Sequence, residues 1–219
     1  MTDTRGMSSS TAAPRTPYAA RFGPPLVLLA IMWVVEFADL LLPGRFESLG
    51  IRAWDLTHLP GIVLAPLLHS TWSHLISNSV PFLVLGCLVA AEGARRFWFV
   101  TAIATVVGGI GPWFLALPGT VTVGASGLVF GYFAYLMVRV FTARSMGHRI
   151  LYAVIALATF SVYGGSMLVG VLPVHVGISW QGHLFGALGG VAAALLTRPR
   201  SAPDTGRGLS AGRGTAAGL

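Results

Sequence analysis

Five long apolar runs dominate this chain: Pro24 to Leu42, Ile76 to Ala91, Phe97 to Pro118, Leu128 to Phe141 and Ile150 to Val171. A helix that crosses a hydrocarbon layer needs about 20 mostly apolar residues, so runs of this length are what a bilayer demands. The composition agrees. Of the 219 residues 54% are hydrophobic and 10% charged, against about 45–50% and 25% in ordinary soluble domains. Too little polar surface remains to cover a water-soluble globule, and a soluble single domain is excluded. The fold class is an all-α polytopic membrane protein.

Six transmembrane helices are expected, over 24–42, 74–92, 95–117, 125–142, 149–171 and 181–197, the sixth opening on polar residues and rich in glycine. Residues 1–22 and 199–219 are rich in small and polar residues with no apolar period and read as disordered cytoplasmic tails flanking a membrane domain over 23–198. The first apolar run is too long and too late for a cleaved signal and reads as an anchor.

Charge sets the expected orientation. All 14 basic residues are Arg, and the net charge is +7. A pI near 10.8 raises the question of nucleic acid, but no basic stripe or aromatic binding face accompanies it. With both termini inside, Arg45 and Arg52 alone fall outside, as the positive-inside rule prefers. The chain is therefore expected in a cell membrane with both termini cytoplasmic; all-Arg usage with abundant Gly and Ala suggests a G+C-rich bacterial source, and with it the inner membrane. The 43–73 connection then lies outside and is expected to rest at the outer interface.

Polar groups inside a bilayer are costly and mark functional sites. Three clusters occur: His69-Ser-Thr-Trp-Ser-His74 with Ser77 and Asn78, then Gly124-Ala-Ser126-Gly127, then Trp180-Gln-Gly-His183. Each opens an even-numbered helix, and all even-numbered helices run the same way, so the clusters share one depth near the outer surface. His74 and Asn78 are four apart and share a helical face. Gly127 and Gly131, and Gly182, Gly186 and Gly190, are spaced for close backbone approach. That spacing also suits plain helix packing with no chemistry. Serine hydrogen-bonded to imidazole is an acyl-transfer nucleophile, and none of the seven acids is placed near both Ser126 and His183. A dyad is the serine-hydrolase arrangement left open, with His74, Asn78 and the Ser126 amide able to donate to an oxyanion.

These motifs resemble those of bacterial rhomboids, intramembrane serine proteases with a six-helix core. The likeness rests on His69-x4-His74-x3-Asn78, Gly124-x-Ser126-Gly127 and Gly182-His183-x2-Gly186-x3-Gly190, and spans roughly residues 24–198. It implies Ser126 as nucleophile, His183 as general base and then acid, and His74, Asn78 and the Ser126 amide as oxyanion hole. It further implies a structural role for His69 and, at Gly124, room for substrate backbone. Gly127 and Gly186 would serve the packing beside the site. The implied substrates are transmembrane segments of membrane proteins, cut near the outer face. Two departures stand out: no Trp-Arg pair precedes His69, and Phe130 stands where some members carry a Tyr that stacks on the histidine.

The remaining groups have plainer readings. Glu36 and Asp39 are expected to snorkel to the outer interface, and Glu92 to form a surface charge cluster with Arg95 and Arg96. His58, His69 and His74 lack both an HExxH pair and a carboxylate ligand, so no metal and no cofactor is expected. Cys87 has no partner for a disulfide. The alternative to an enzyme is a non-catalytic rhomboid-like protein that binds membrane clients. Substrate identity and oligomeric state have no signature in the sequence.

Overall fold

In a computed structural model, residues 18–42, 45–143, 145–173 and 177–198 are described. The chain order is α1 (Gly23–Leu41), β1 (Ile51–Arg52), a single turn α2 (Gly61–Leu64), α3 (Trp72–Ala91), α4 (Ala94–Leu115), β2 (Val121–Thr122), α5 (Ser126–Thr142), α6 (Met146–Gly170) and α7 (Trp180–Leu196). Six long helices, α1 and α3 to α7, fall within a few residues of the expected segments. Tyr18–Phe22 winds into a 3-10 turn that runs into α1, so these five residues belong with the helical domain and not with the tail expected over 1–22. The rest of that expected tail, the one over 199–219, and His175 lie outside the described residues.

Three helices, Ala19–Leu41, Trp72–Ala91 and Ala94–Leu115, are long and apolar enough to cross a membrane. Ser126–Thr142 and Met146–Val162 are shorter apolar helices. At 17 residues each, α5 and α7 reach about 26 Å, a little under a hydrocarbon core of about 30 Å.

Local chemistry sets the helix starts. Thr71, Ser145 and Ser179 cap α3, α6 and α7, their hydroxyls accepting from the amides of His74, His148 and Gly182. Prolines follow Gly23 in the first turn of α1, where a missing N–H costs nothing.

The helices alternate in direction, and polar contacts at one end of the bundle show it. Arg21 donates to the Ala91 carbonyl, joining the start of α1 to the end of α3. Arg96 donates to Thr197, joining the start of α4 to the end of α7. Glu92 accepts from Tyr135 and Arg139 near the end of α5 and from Tyr152 near the start of α6. The first turns of α3, α5 and α7 consequently lie together at the opposite end. Arg96 does pair with Glu92 as expected, Nε to Oε2 at 3.9 Å, but the carboxylate is not a surface group: its side chain is 12% exposed, with Arg139 Nε at 2.9 Å. Three donors from two other helices compensate the burial of that carboxylate.

At the end where α3, α5 and α7 begin, the 45–71 connection folds onto the 116–125 segment. Ile51 pairs with Thr122 and Arg52 with Val121 in an antiparallel two-strand ladder. Trp54 donates to the Ala116 carbonyl and Trp113 to the Asp55 carbonyl. Glu36 also departs from expectation. It lies on the inward face of α1 with Leu28 and Met32 and is 8% exposed, whereas Asp39 accepts from the Phe46 amide.

Between α4 and α5 lies α7, and the approach is glycine against glycine. Cβ atoms at Gly186 and Gly190 would run into the carbonyls of Gly127 and Gly131 on α5, and one at Gly108 of α4 would lie 3.2 Å from Gly186 Cα. Close backbone approach of this kind suits a bilayer, where apolar side chains gain little by leaving lipid for one another.

Candidate active site

The α5–α7 approach brings two side chains together. Ser126 is the first residue of α5 and His183 lies in the first turn of α7; Ser126 Oγ stands 2.7 Å from His183 Nε2. The other ring nitrogen, Nδ1, lies 2.9 Å from the Gly170 carbonyl oxygen at the end of α6. A carbonyl can only accept, so Nδ1 carries the proton and donates. Nε2 is then bare and accepts from the Ser126 hydroxyl. Phe130, one turn into α5, stacks on the imidazole with centroids 4.2 Å apart and planes 8° from parallel. The ring is held on both nitrogens and one face, without a hydroxyl at position 130.

The turn ahead of Ser126 is fixed from the 45–71 connection. The Gly124 amide donates to the Ala65 carbonyl at 2.8 Å, and the Ala125 amide points at His69 Nε2, 3.4 Å away. Gly124 adopts φ +115°, a conformation that disfavours any side chain. A Cβ there would also sit 2.6 Å from His74 Nε2. Glycine at 124 thus lets the segment before Ser126 lie directly on His74.

His74 and Asn78 project from one face of α3 into the same space, and both line a cavity of about 1220 Å³ with Ser126 and His183. The cavity walls come from α3 (Ile76, Val80), the β2 segment and the chain before α7. His74 Nδ1 lies 3.4 Å from the Ser70 hydroxyl, leaving Nε2 toward Gly124 and the cavity. Asn78 is 7% exposed, and its Nδ2 is buried without a hydrogen-bond partner. An orphan donor of this kind is costly unless something else accepts from it.

His69 is 3% exposed and packs edge-on against His74, ring centroids 5.1 Å apart. Burial first, and the neighbouring His74 second, push its pKa down to about 3. Neutral His69 is the form that accepts from Ala125. Protons therefore bind the unfolded chain more readily, and stability present above about pH 6.5 is lost as pH falls toward 3. The thermal midpoint of the detergent-solubilised protein is expected to fall on acidification, more steeply in the wild type than in His69→Gln, which has no imidazole to protonate. Identical slopes for the two proteins would exclude this role.

Every site residue expected from the sequence is present in this region: Ser126, His183, His74, Asn78, His69, Gly124, Gly127, Phe130 and Gly186. Backbone acceptors were not anticipated, Gly170 at His183 and Ala65 at Gly124. A carbonyl has no side-chain signature; the one available hint was a glycine closing the fifth helix.

Comparison with known proteins agrees with the geometry. The family model of the Rhomboid domain matches residues 52–200. An uncharacterized protein of Mycobacterium tuberculosis is 41% identical over 211 residues, covering 89% of this chain and 85% of its own. A Bacillus subtilis protein provisionally named a rhomboid protease is 33% identical over 132 residues, 59% of this chain and 63% of its own. A chloroplast rhomboid-like protein of Arabidopsis thaliana is 30% identical over 190 residues, 76% of this chain and 64% of its own. With the matched domain covering most of the described helices, this chain is a member of the rhomboid family.

Proposed function

We propose that this protein is an intramembrane serine endopeptidase that cuts transmembrane segments of membrane proteins with a Ser126–His183 dyad. One observation carries the reading: a serine hydroxyl donating to the bare nitrogen of an imidazole whose other nitrogen is already engaged. In the reaction, His183 Nε2 takes the Ser126 proton as Oγ attacks the scissile carbonyl. The oxyanion forms beside Asn78 Nδ2, His74 Nε2 and the Ser126 amide, which opens α5 with its dipole. His183 returns the proton to the leaving amine. A water entering the cavity then attacks the acyl-enzyme with His183 again as base. A helical peptide bond is shielded by its own turn, so the substrate unwinds locally before attack.

In this reading all six long helices cross the membrane, both termini are cytoplasmic, and the cavity opens to the outer side of a bacterial inner membrane. The arginines support the orientation: Arg21, Arg96 and Arg139 lie at the end of the bundle away from the cavity. Tilt and local thinning accommodate the shorter α5 and α7.

The test is fluorophosphonate labelling of the folded protein, with cleavage of single-span substrates in proteoliposomes and mass-spectrometric mapping of the cut. Labelling, and a cut near the outer boundary of the span, are expected. A folded protein that neither labels nor cleaves would overturn the reading and leave a non-catalytic client binder. Asn78→Ala is expected to lower kcat about 100-fold with little change in KM, the usual loss for one oxyanion donor. A loss confined to KM would place Asn78 in substrate binding instead.

A further inference from the structure

The fifth long helix, α6, sits at the edge of the bundle. It packs chiefly on α5, and Leu151, Val154, Leu157, Val162 and Leu168 stand exposed along it. Among the described residues, two hydrogen bonds join it to helices other than α5. Near its start Tyr152 donates at 2.7 Å to Glu92, the residue that caps the end of α3, and in its last turn the Gly170 carbonyl accepts from His183 Nδ1 of α7 at 2.9 Å. Glycine is what allows the second contact. A Cβ at position 170 would lie 2.9 Å from His183 Nδ1 and 3.1 Å from Phe130 Cζ.

We propose that Gly170 is a positioning residue: its carbonyl, delivered by the docked end of α6, selects the His183 tautomer that can activate Ser126. This deepens the protease reading and rests on it. In the opposite tautomer, the Nδ1 lone pair would face the carbonyl lone pairs across 2.9 Å. Nε2 would then carry a proton toward Ser126 Oγ and could accept none. The buried carbonyl does here what an acceptor at the far ring nitrogen does in a triad, except that it belongs to a peripheral helix. Withdrawal of the last turn of α6 by about 1 Å takes the pair out of hydrogen-bonding range. A conformation in which the last turn of α6 stands away from His183 is therefore unarmed.

The test has two arms on the full-length protein in detergent micelles. In the first, 15N-histidine NMR under mildly alkaline conditions reads the His183 ring, its signals assigned by their loss in His183→Ala. A protonated Nδ1 and a bare Nε2 are expected; a protonated Nε2 would overturn the proposal. This arm reads out whether or not any substrate is cut, so its failure is distinct from failure of the protease reading. In the second, a backbone ester replaces the amide between Gly170 and Val171, which weakens the Gly170 acceptor without altering a side chain. A control ester between Val171 and Leu172 removes a neighbouring N–H and leaves the Gly170 acceptor intact. The first ester is expected to lower kcat about fivefold to tenfold at unchanged KM and to admit the other tautomer, and the control to stay near wild type. Equal effects of the two esters, or no effect of the first on tautomer or kcat, would overturn the role.

Discussion

On the protease reading, Ser126→Ala is expected to abolish both fluorophosphonate labelling and substrate cleavage, and His183→Ala to lower cleavage to nearly the same floor. The expected loss is about 10,000-fold or more in kcat for each, because nucleophile and base act as one unit. For the same reason the double variant is scarcely worse than either single one. The separation of 2.7 Å between Oγ and Nε2 is already that of a productive pair, so no rearrangement is needed to form it. The two losses differ in character. Ser126→Ala removes the atom that bonds to the probe, whereas His183→Ala leaves a hydroxyl without a base and slows labelling. Folding is a fair concern for His183, which is 9% exposed and pinned by Gly170 and Phe130. His183→Gln keeps an amide in that space, and a Gln variant that melts near the wild-type temperature yet fails to cleave separates chemistry from folding. Cleavage surviving in a folded Ser126→Ala protein would remove Ser126 from the reaction altogether.

Much of this arrangement is written in the amino-acid order. The six long helices begin and end within a few residues of the expected segments, five of them marked by apolar runs, because hydropathy and capping residues such as Thr71 and Ser179 are local signals. Ser126, His183, His74 and Asn78 converge because each lies in the first two turns of a helix of the same direction. Interactions that join distant segments through the backbone were not legible. The Gly170 carbonyl under His183, the Ala65 carbonyl over Gly124, and the pairing of Ile51–Arg52 with Val121–Thr122 involve groups that every residue carries. Glu92 is instructive in another way. Of its neighbours in sequence Arg96 does pair with it, at 3.9 Å, but the hydrogen-bond donors that compensate its burial, Arg139, Tyr135 and Tyr152, stand 43 to 60 positions away. Glu36 likewise faces inward with Leu28 and Met32, a register that the apolar run around it does not specify.

Gly190→Ala, one added methyl group, is expected to destabilise the protein by on the order of 3 kcal/mol. The new Cβ would overlap the Gly131 carbonyl oxygen and come within 2.7 Å of its carbon and 3.0 Å of Gly131 Cα. All three are backbone atoms, so no side chain can swing aside and α5 must move away from α7. Gly131 has no slack to give, since a Cβ of its own would already lie 2.6 Å from Ala104 Cβ on α4. Gly165→Ala is the internal control. That glycine lies in α6 with nothing within 4 Å of a built Cβ, and alanine there is expected to be neutral or to stabilise by up to about 1 kcal/mol through helix propensity. Activity sharpens the contrast. Ser126 and His183 sit on the two helices that Gly190→Ala drives apart, and a hydrogen bond of 2.7 Å tolerates a shift of only a few tenths of an ångström. Fluorophosphonate labelling of Gly190→Ala should therefore fall even at temperatures where the protein remains folded. Melting curves and labelling rates of the two alanine variants, compared side by side, decide it. A Gly190→Ala protein that melts and labels like Gly165→Ala would show that backbone contact between α5 and α7 does not hold the dyad together.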